Sequence, residues 1–139
     1  MFLERLTNMM YLWIAVGSAL GGIARYWCSG IIAQRIGETF PWDTMIVNIL
    51  GSFIIGFFVA MTGPDGRLMV SPEIRLFVTI GICGGYTTFS SFSLQTLNLL
   101  HDGEFFQAGF NIILSVILCL VFVWFGYILA TLFNQVKGV

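Results

Sequence analysis

The chain has 139 residues, 58% of them hydrophobic and only 9% charged, with a formal net charge of -1 at pH 7. Soluble domains carry roughly 25% charged residues, so this composition excludes a water-soluble globular domain and indicates an integral membrane protein. The small net charge offers no basic surface to nucleic acid, and no charged run points to an acidic or basic partner.

Polar punctuation leaves four apolar runs, residues 9–33, 42–61, 74–100 and 105–133. A helix of about 20 residues crosses the ~30 Å hydrocarbon core, so each run is long enough to span. The expectation is an all-α, four-span protein forming one domain over residues 1–139, with both termini on one side of the membrane.

The first run carries Gly17 and Gly21 at GxxxG spacing, a mark of close helix packing. Arg25, two-thirds along it, either attracts anions into a vestibule or snorkels to the interface near Arg35. Residues 1–24 also resemble a signal peptide, with Arg5 as the charged region. The apolar run continues to Ala33, however, beyond a signal core of ~7–15 residues.

After a polar break at residues 34–41, the second run places Asn48 among aliphatic residues. An amide at that depth must clamp another helix or serve a permeant ion. Gly51 and Gly56 are further packing notches. Residues 62–72, with two prolines and two glycines, form the next turn. Cys28, Cys83 and Cys119 have neither metal-ligand nor disulfide spacing and are expected to act as small buried hydrophobes.

The third run contains CGGYTTFSSFS, from Cys83 to Ser93, and its midpoint falls at Thr87. Two glycines followed by Tyr86, Thr87 and Thr88 weaken a helix near the bilayer midplane, where unsatisfied backbone groups cost several kcal/mol each. Either the glycines form a packing notch with the hydroxyls bonded back to their own helix, or the helix breaks and lines an ion or water site. Phe89 and Phe92 share one helical face, with Ser90 and Ser93 on a neighbouring one. Ring edges are positive and can face a small anion without trapping it.

A turn at residues 101–104 holds the sole histidine, His101, and leads to the fourth run. Lys/Arg residues are Arg5, Arg67, Arg75 and Lys137 on one side against Arg25 and Arg35 on the other. So small a bias is compatible with insertion in both orientations, and hence with an antiparallel dimer.

Residues 84–93, GGYTTFSSFS, closely resemble the third-helix signature of the Fluc (CrcB) fluoride channels. Residues 21–26, GGIARY, and 41–48, PWDTMIVN, extend the resemblance over almost the whole chain. It implies an antiparallel, dual-topology homodimer in the bacterial inner membrane that exports fluoride passively through two pores and so limits fluoride toxicity. It further implies a third helix broken near the midplane and a structural sodium ion at the dimer centre, held by the backbone carbonyls of Gly84 and Thr87. Phe89, Phe92, Asn48, Thr88, Ser90 and Ser91 correspond to pore positions, and Arg25 to a first-helix vestibule arginine. Bulk at Gly84 is expected to disturb the break. Ser115 and Gln95 extend a polar track, but the chain departs from the family pattern there. Cys119 and Val123 follow Asn111 and Ser115 on one face of the fourth run, and Gln95 stands where glutamate is common.

The expected partners are fluoride, a second copy of the chain and membrane lipid, with no nucleic acid and no enzymatic activity. A small multidrug exporter is equally short, but it needs an intramembrane carboxylate, and every acidic residue here lies at a run end or in a loop. A non-transporting tetraspan scaffold accounts for the glycines and not for the hydroxyl-rich midplane.

Overall fold

The computed structural model describes the backbone of residues 2–136 and the side chains of residues 9–136. The side chain of Arg5, and Lys137, both counted in the charge bias, lie outside the described residues. Within them the fold is entirely helical, with four helical arms. The first is α1 (Phe2–Ile36), the second α2 (Trp42–Met61), and the fourth α6 (Phe105–Gln135). The third arm is assembled from α3 (Pro72–Leu76), a π-helical segment (Phe77–Cys83), α4 (Gly84–Tyr86) and α5 (Phe89–His101).

Local chemistry sets the ends of these arms. Gly37, at φ +94°, closes α1 by donating its N–H to the Ala33 carbonyl at 2.9 Å, and Gly103, at φ +79°, makes the turn before α6. Both positions need the left-handed conformation that glycine adopts without strain. Ser71 caps α3, accepting the Ile74 N–H at 3.5 Å, and Pro72 follows at the first helical position. Ser71 also holds the Glu73 carboxyl below its ordinary value of 4.5.

The loop between the second and third arms is tied to the helix ends beside it. Asn134 donates to the Ala60 carbonyl at 3.1 Å and accepts the Arg67 N–H at 3.1 Å, while Arg75 donates to the Thr62 carbonyl at 3.1 Å. The C-terminal carbonyls of α2 thus receive both an amide and a cation, as the negative end of a helix dipole favours.

The most extensive packing joins α2 to α6. A side chain at Gly56 would collide with the Val123 carbonyl, and one at Gly126 with the Phe53 carbonyl, so these glycines bring the two backbones together. The third arm packs on α1 in the same way: a Cβ at Gly17 would sit 2.6 Å from the Phe77 carbonyl, and one at Gly85 2.5 Å from that of Ser18. Gly84 differs from the expectation that bulk there disturbs the break. Within one chain an added Cβ meets only the Thr79 carbonyl at 3.9 Å, because Gly84 faces the open side of the helix and Gly85 faces α1.

The exterior is apolar. Leu120, Trp124 and Ile113 are each more than 60% exposed, and the innermost side chains include Asn111, only 1% exposed. Such a continuous apolar surface is unstable in water and matches a lipid environment. Among the described residues α2 and α6, with mean hydropathies of 2.1 and 2.8, are the helices long and apolar enough to cross a membrane by themselves.

Candidate functional site: a polar cavity where the third arm is interrupted

Between α4 and α5 the backbone leaves the helical conformation at Thr87 (φ -84°, ψ 157°) and Thr88 (φ -152°, ψ 110°). Local side chains close the two ends. Thr87 donates from both its N–H and its hydroxyl to the Cys83 carbonyl, at 3.0 and 2.9 Å, ending α4. Thr88 starts α5 as its N-cap: its Oγ1 accepts the Ser91 N–H at 3.2 Å and donates to Ser91 Oγ at 3.0 Å, with Ser90 Oγ 3.3 Å away.

Asn48 on α2 reads both backbone groups of Thr88. Its Oδ1 accepts the Thr88 N–H at 2.8 Å and its Nδ2 donates to the Thr88 carbonyl at 3.2 Å. The pairing resembles one rung of a β-ladder made by a side chain. One Nδ2 proton remains for another acceptor.

These bonds displace two others. In an uninterrupted helix the Thr88 N–H would reach the Gly84 carbonyl and the Ser91 N–H the Thr87 carbonyl. The first donor goes instead to Asn48 and the second to Thr88 Oγ1. The carbonyls of Gly84 and Thr87 thereby lose their regular helical donors. Gly51 leaves room for the arrangement, since a Cβ there would collide with Thr87 Cγ2.

Beside the interruption lies a cavity of about 430 Å3. Its wall contains seven of the residues that the resemblance assigns to the pore, the sodium site or the polar track: Asn48, Gly84, Thr87, Thr88, Phe89, Phe92 and Ser115. Among the described residues no charged side chain lines it. The Phe89 and Phe92 rings are 5.3 Å apart between centroids and inclined at 48°. They are unequal in environment: Phe92 is 9% exposed and Phe89 76%. Ser91 supports Thr88 from outside the wall, Ser90 is exposed beside it, and Ser93 donates to the carbonyl of Phe89 at 2.9 Å.

Gln95 and Arg25 stand apart from this cavity. Gln95 lines a second one, about 410 Å3, together with Glu38, Asp43, Asn98 and Asp102. Its Oε1 is buried without a partner, as is the Nε of Arg25 on α1. Arg25 lines neither cavity.

A chain of buried hydrogen bonds escapes the motif-based reading. Ser115 donates to Asn111 Oδ1 at 3.3 Å, Asn111 donates to Thr96 Oγ1 at 2.9 Å, and Thr96 donates to the Phe92 carbonyl at 2.7 Å. It ties α6 to α5 at the residue that carries the buried ring. Thr96, four residues after Phe92, is the member left unmarked. Its spacing was the available signal, as was that of Ser52, four after Asn48 and also in the cavity wall.

An all-helical membrane protein with an uncharged, hydroxyl-lined cavity at a helix interruption suits small-solute or ion passage better than catalysis. Residues 12–127 match the family model described as CrcB-like protein, Camphor Resistance (CrcB). The chain is 58% identical over 130 residues to a protein of Methylocella silvestris named fluoride-specific ion channel FluC, covering 94% of this chain and 99% of that one. Identically named proteins of Opitutus terrae and Rhodospirillum rubrum are 57% and 53% identical over 129 and 127 residues, covering 93% and 91% of this chain and 98% of each relative. The chain belongs to the CrcB family.

Proposed function

We propose that this protein is a passive fluoride channel of a bacterial plasma membrane, working as an antiparallel dimer that lowers intracellular fluoride. The observation that carries the reading is the cavity in which Asn48, Thr88, Ser115 and the rings of Phe89 and Phe92 meet with no charged group. The names of the relatives supply the ion.

A small anion entering the cavity exchanges water for the free Nδ2 proton of Asn48 and for wall hydroxyls that turn toward it from the acceptors they now hold. The edges of Phe89 and Phe92 then face it with positive partial charge, too weak to hold it fast. Conduction needs binding strong enough to admit the ion and weak enough to release it, which a neutral lining provides and a fixed cation would not. The exposed Phe89 is suited to contribute to a path completed by a second chain.

The interruption fits a structural sodium ion. A sodium ion there would tie the interruption to a second chain, held by the carbonyls of Gly84 and Thr87, which are deprived of their helical donors. Two neutral oxygens replace too little of a hydration shell, so the same pair from a second chain is required. No observation favours proton-coupled drug export, since Glu38, Asp43, Asp65, Glu73, Asp102 and Glu104 all lie at helix ends or in loops.

Fluoride efflux from liposomes containing the purified protein tests the reading. Fluoride should leave rapidly and chloride should not, and equal rates for both, or none for either, would overturn it.

A further inference from the structure

Two of the three cysteines, Cys83 and Cys119, stand in the wall of the cavity beside the interruption, and Cys28 lies outside it. They reach it from different arms. Cys83 ends the π-helical segment, and Cys119 lies one turn beyond Ser115 on the same face of α6. Cys83 is 3% exposed, Cys119 is half-buried, and neither is in a disulfide. The Cys83 backbone at the end of the segment is fixed by two hydrogen bonds from Thr87 to its carbonyl.

The rest of the wall consists of hydroxyls, one amide, aliphatic groups and aromatic rings. A hard divalent cation finds no carboxylate there, and among the described residues no three His, Cys, Asp or Glu side chains converge. Two sulfurs in an otherwise neutral pocket favour a soft cation of low coordination number instead. A single thiol only labels, whereas a second one in the same cavity acts at high effective concentration and chelates.

We propose that Cys83 and Cys119 make this cavity a binding site for a thiophilic d10 cation such as Hg(II), and that occupancy obstructs the cavity. Each thiol forms a sulfur–mercury bond and releases its proton, so one Hg(II) yields a neutral bis-thiolate and two protons with no electron transfer. The ion sits in the space shared with Asn48, Thr88 and Phe92. The metal site stands on the two thiols alone, while obstruction of fluoride passage rests on the channel reading above.

The test treats the purified full-length protein with Hg(II), washes it with a monothiol, and measures retained mercury by elemental mass spectrometry. Fluoride efflux is measured in parallel from liposomes. Wild type and Cys28→Ser should each retain one mercury per chain. Cys83→Ser and Cys119→Ser should each retain about ten-fold less, because a lone thiol loses the metal to the competitor. Cys119 is only half-buried and serine is close to it in size, so Cys119→Ser keeps the comparison readable if Cys83→Ser does not fold. Fluoride efflux through wild type should fall about ten-fold with Hg(II) and return on addition of a dithiol, while Cys119→Ser keeps its own untreated rate. Equal retention by Cys119→Ser, or retention that follows Cys28, would overturn the site. Retention through both cavity thiols with undiminished efflux would overturn the obstruction alone. Failure of untreated wild type to pass fluoride would remove the channel reading and leave the mercury site to be judged by retained metal.

Discussion

The α2–α6 pair and the third arm are both packed through glycines, yet they meet the membrane's demand on the backbone in opposite ways. In α2 and α6 every turn is regular, and Gly56 and Gly126 serve only to bring two intact helices together. In the third arm Gly81 and Gly85 likewise press against α1, but the helix then opens at Thr87 and Thr88 and frees polar groups. Close packing alone therefore does not make a site. What distinguishes the third arm is the set of side chains, Asn48 and the threonines, that takes over the freed groups, and the Gly84 and Thr87 carbonyls left without their usual donors.

The largest effect that separates the regions is expected from Gly126→Val. A branched side chain against the Phe53 carbonyl overpacks a backbone contact, typically destabilising by about 1–3 kcal/mol and more where backbone cannot give. The yield and thermal stability of folded protein should drop, whereas Gly84→Ala, whose Cβ stays 3.9 Å from the Thr79 carbonyl within the chain, should purify normally. Equal losses for both would erase the contrast.

Asn48→Asp tests the clamp. Aspartate can still accept the Thr88 N–H but cannot donate to its carbonyl, and it places a negative charge in a neutral cavity. Fluoride flux should fall by about ten-fold or more, in line with the roughly 1–3 kcal/mol of an unpaired buried group, while the protein remains folded. Wild-type flux in Asn48→Asp would show that neither the donor nor the neutrality of the cavity matters.

Phe92→Leu and Phe89→Leu ask whether the rings act by edge or by bulk. Both should lower flux. Phe92→Leu should also lower thermal stability by about 1 kcal/mol because its ring is buried, and Phe89→Leu, on an exposed ring, should not. Unchanged flux in both variants would remove the rings from the path.

Sodium removal should lower both fluoride flux and dimer stability, reversibly. Thr87→Ser should respond like wild type because the proposed ligand is a backbone atom and the serine hydroxyl can still reach the Cys83 carbonyl. Full flux after verified sodium depletion would return the Gly84 and Thr87 carbonyls to a packing role.

The smallest effect belongs to Ser71→Ala at the start of the third arm. Its cap bond is long, at 3.5 Å, so the loss should be about 0.5 kcal/mol in thermal denaturation. Ser71 also lowers the pKa of Glu73, so this contribution is present above the ordinary carboxylate pKa and fades as pH falls through the lowered one. The difference between Ser71→Ala and wild type should therefore shrink in acid.

Much of this was legible in the chain itself. The second apolar run, residues 42–61, has the bounds of α2, because Pro41 and the 62–72 turn leave no other ends. The first and fourth runs lie within the longer α1 and α6, whose polar ends continue the helix past the apolar stretch. The GGYTTFSSFS stretch was recognisable as a weak point in a helix because propensity and hydroxyl content are local properties. Asn48 was identifiable as an amide in need of partners, but both a clamp and an ion site satisfied that need on paper.

Tertiary structure decided what locality could not. It paired Asn48 with both backbone groups of Thr88, brought Ser115 into the cavity, and put Gln95 in a different one among Asp43, Asn98 and Asp102. It also turned Gly85 toward α1 and left Gly84 open, although the two are adjacent and identical in type. Composition and periodicity select which segments become helices, because those choices are made residue by residue. Which hydroxyl, amide or thiol faces which depends on how the helices are rotated against one another, and that rotation is set by packing between segments far apart in the chain.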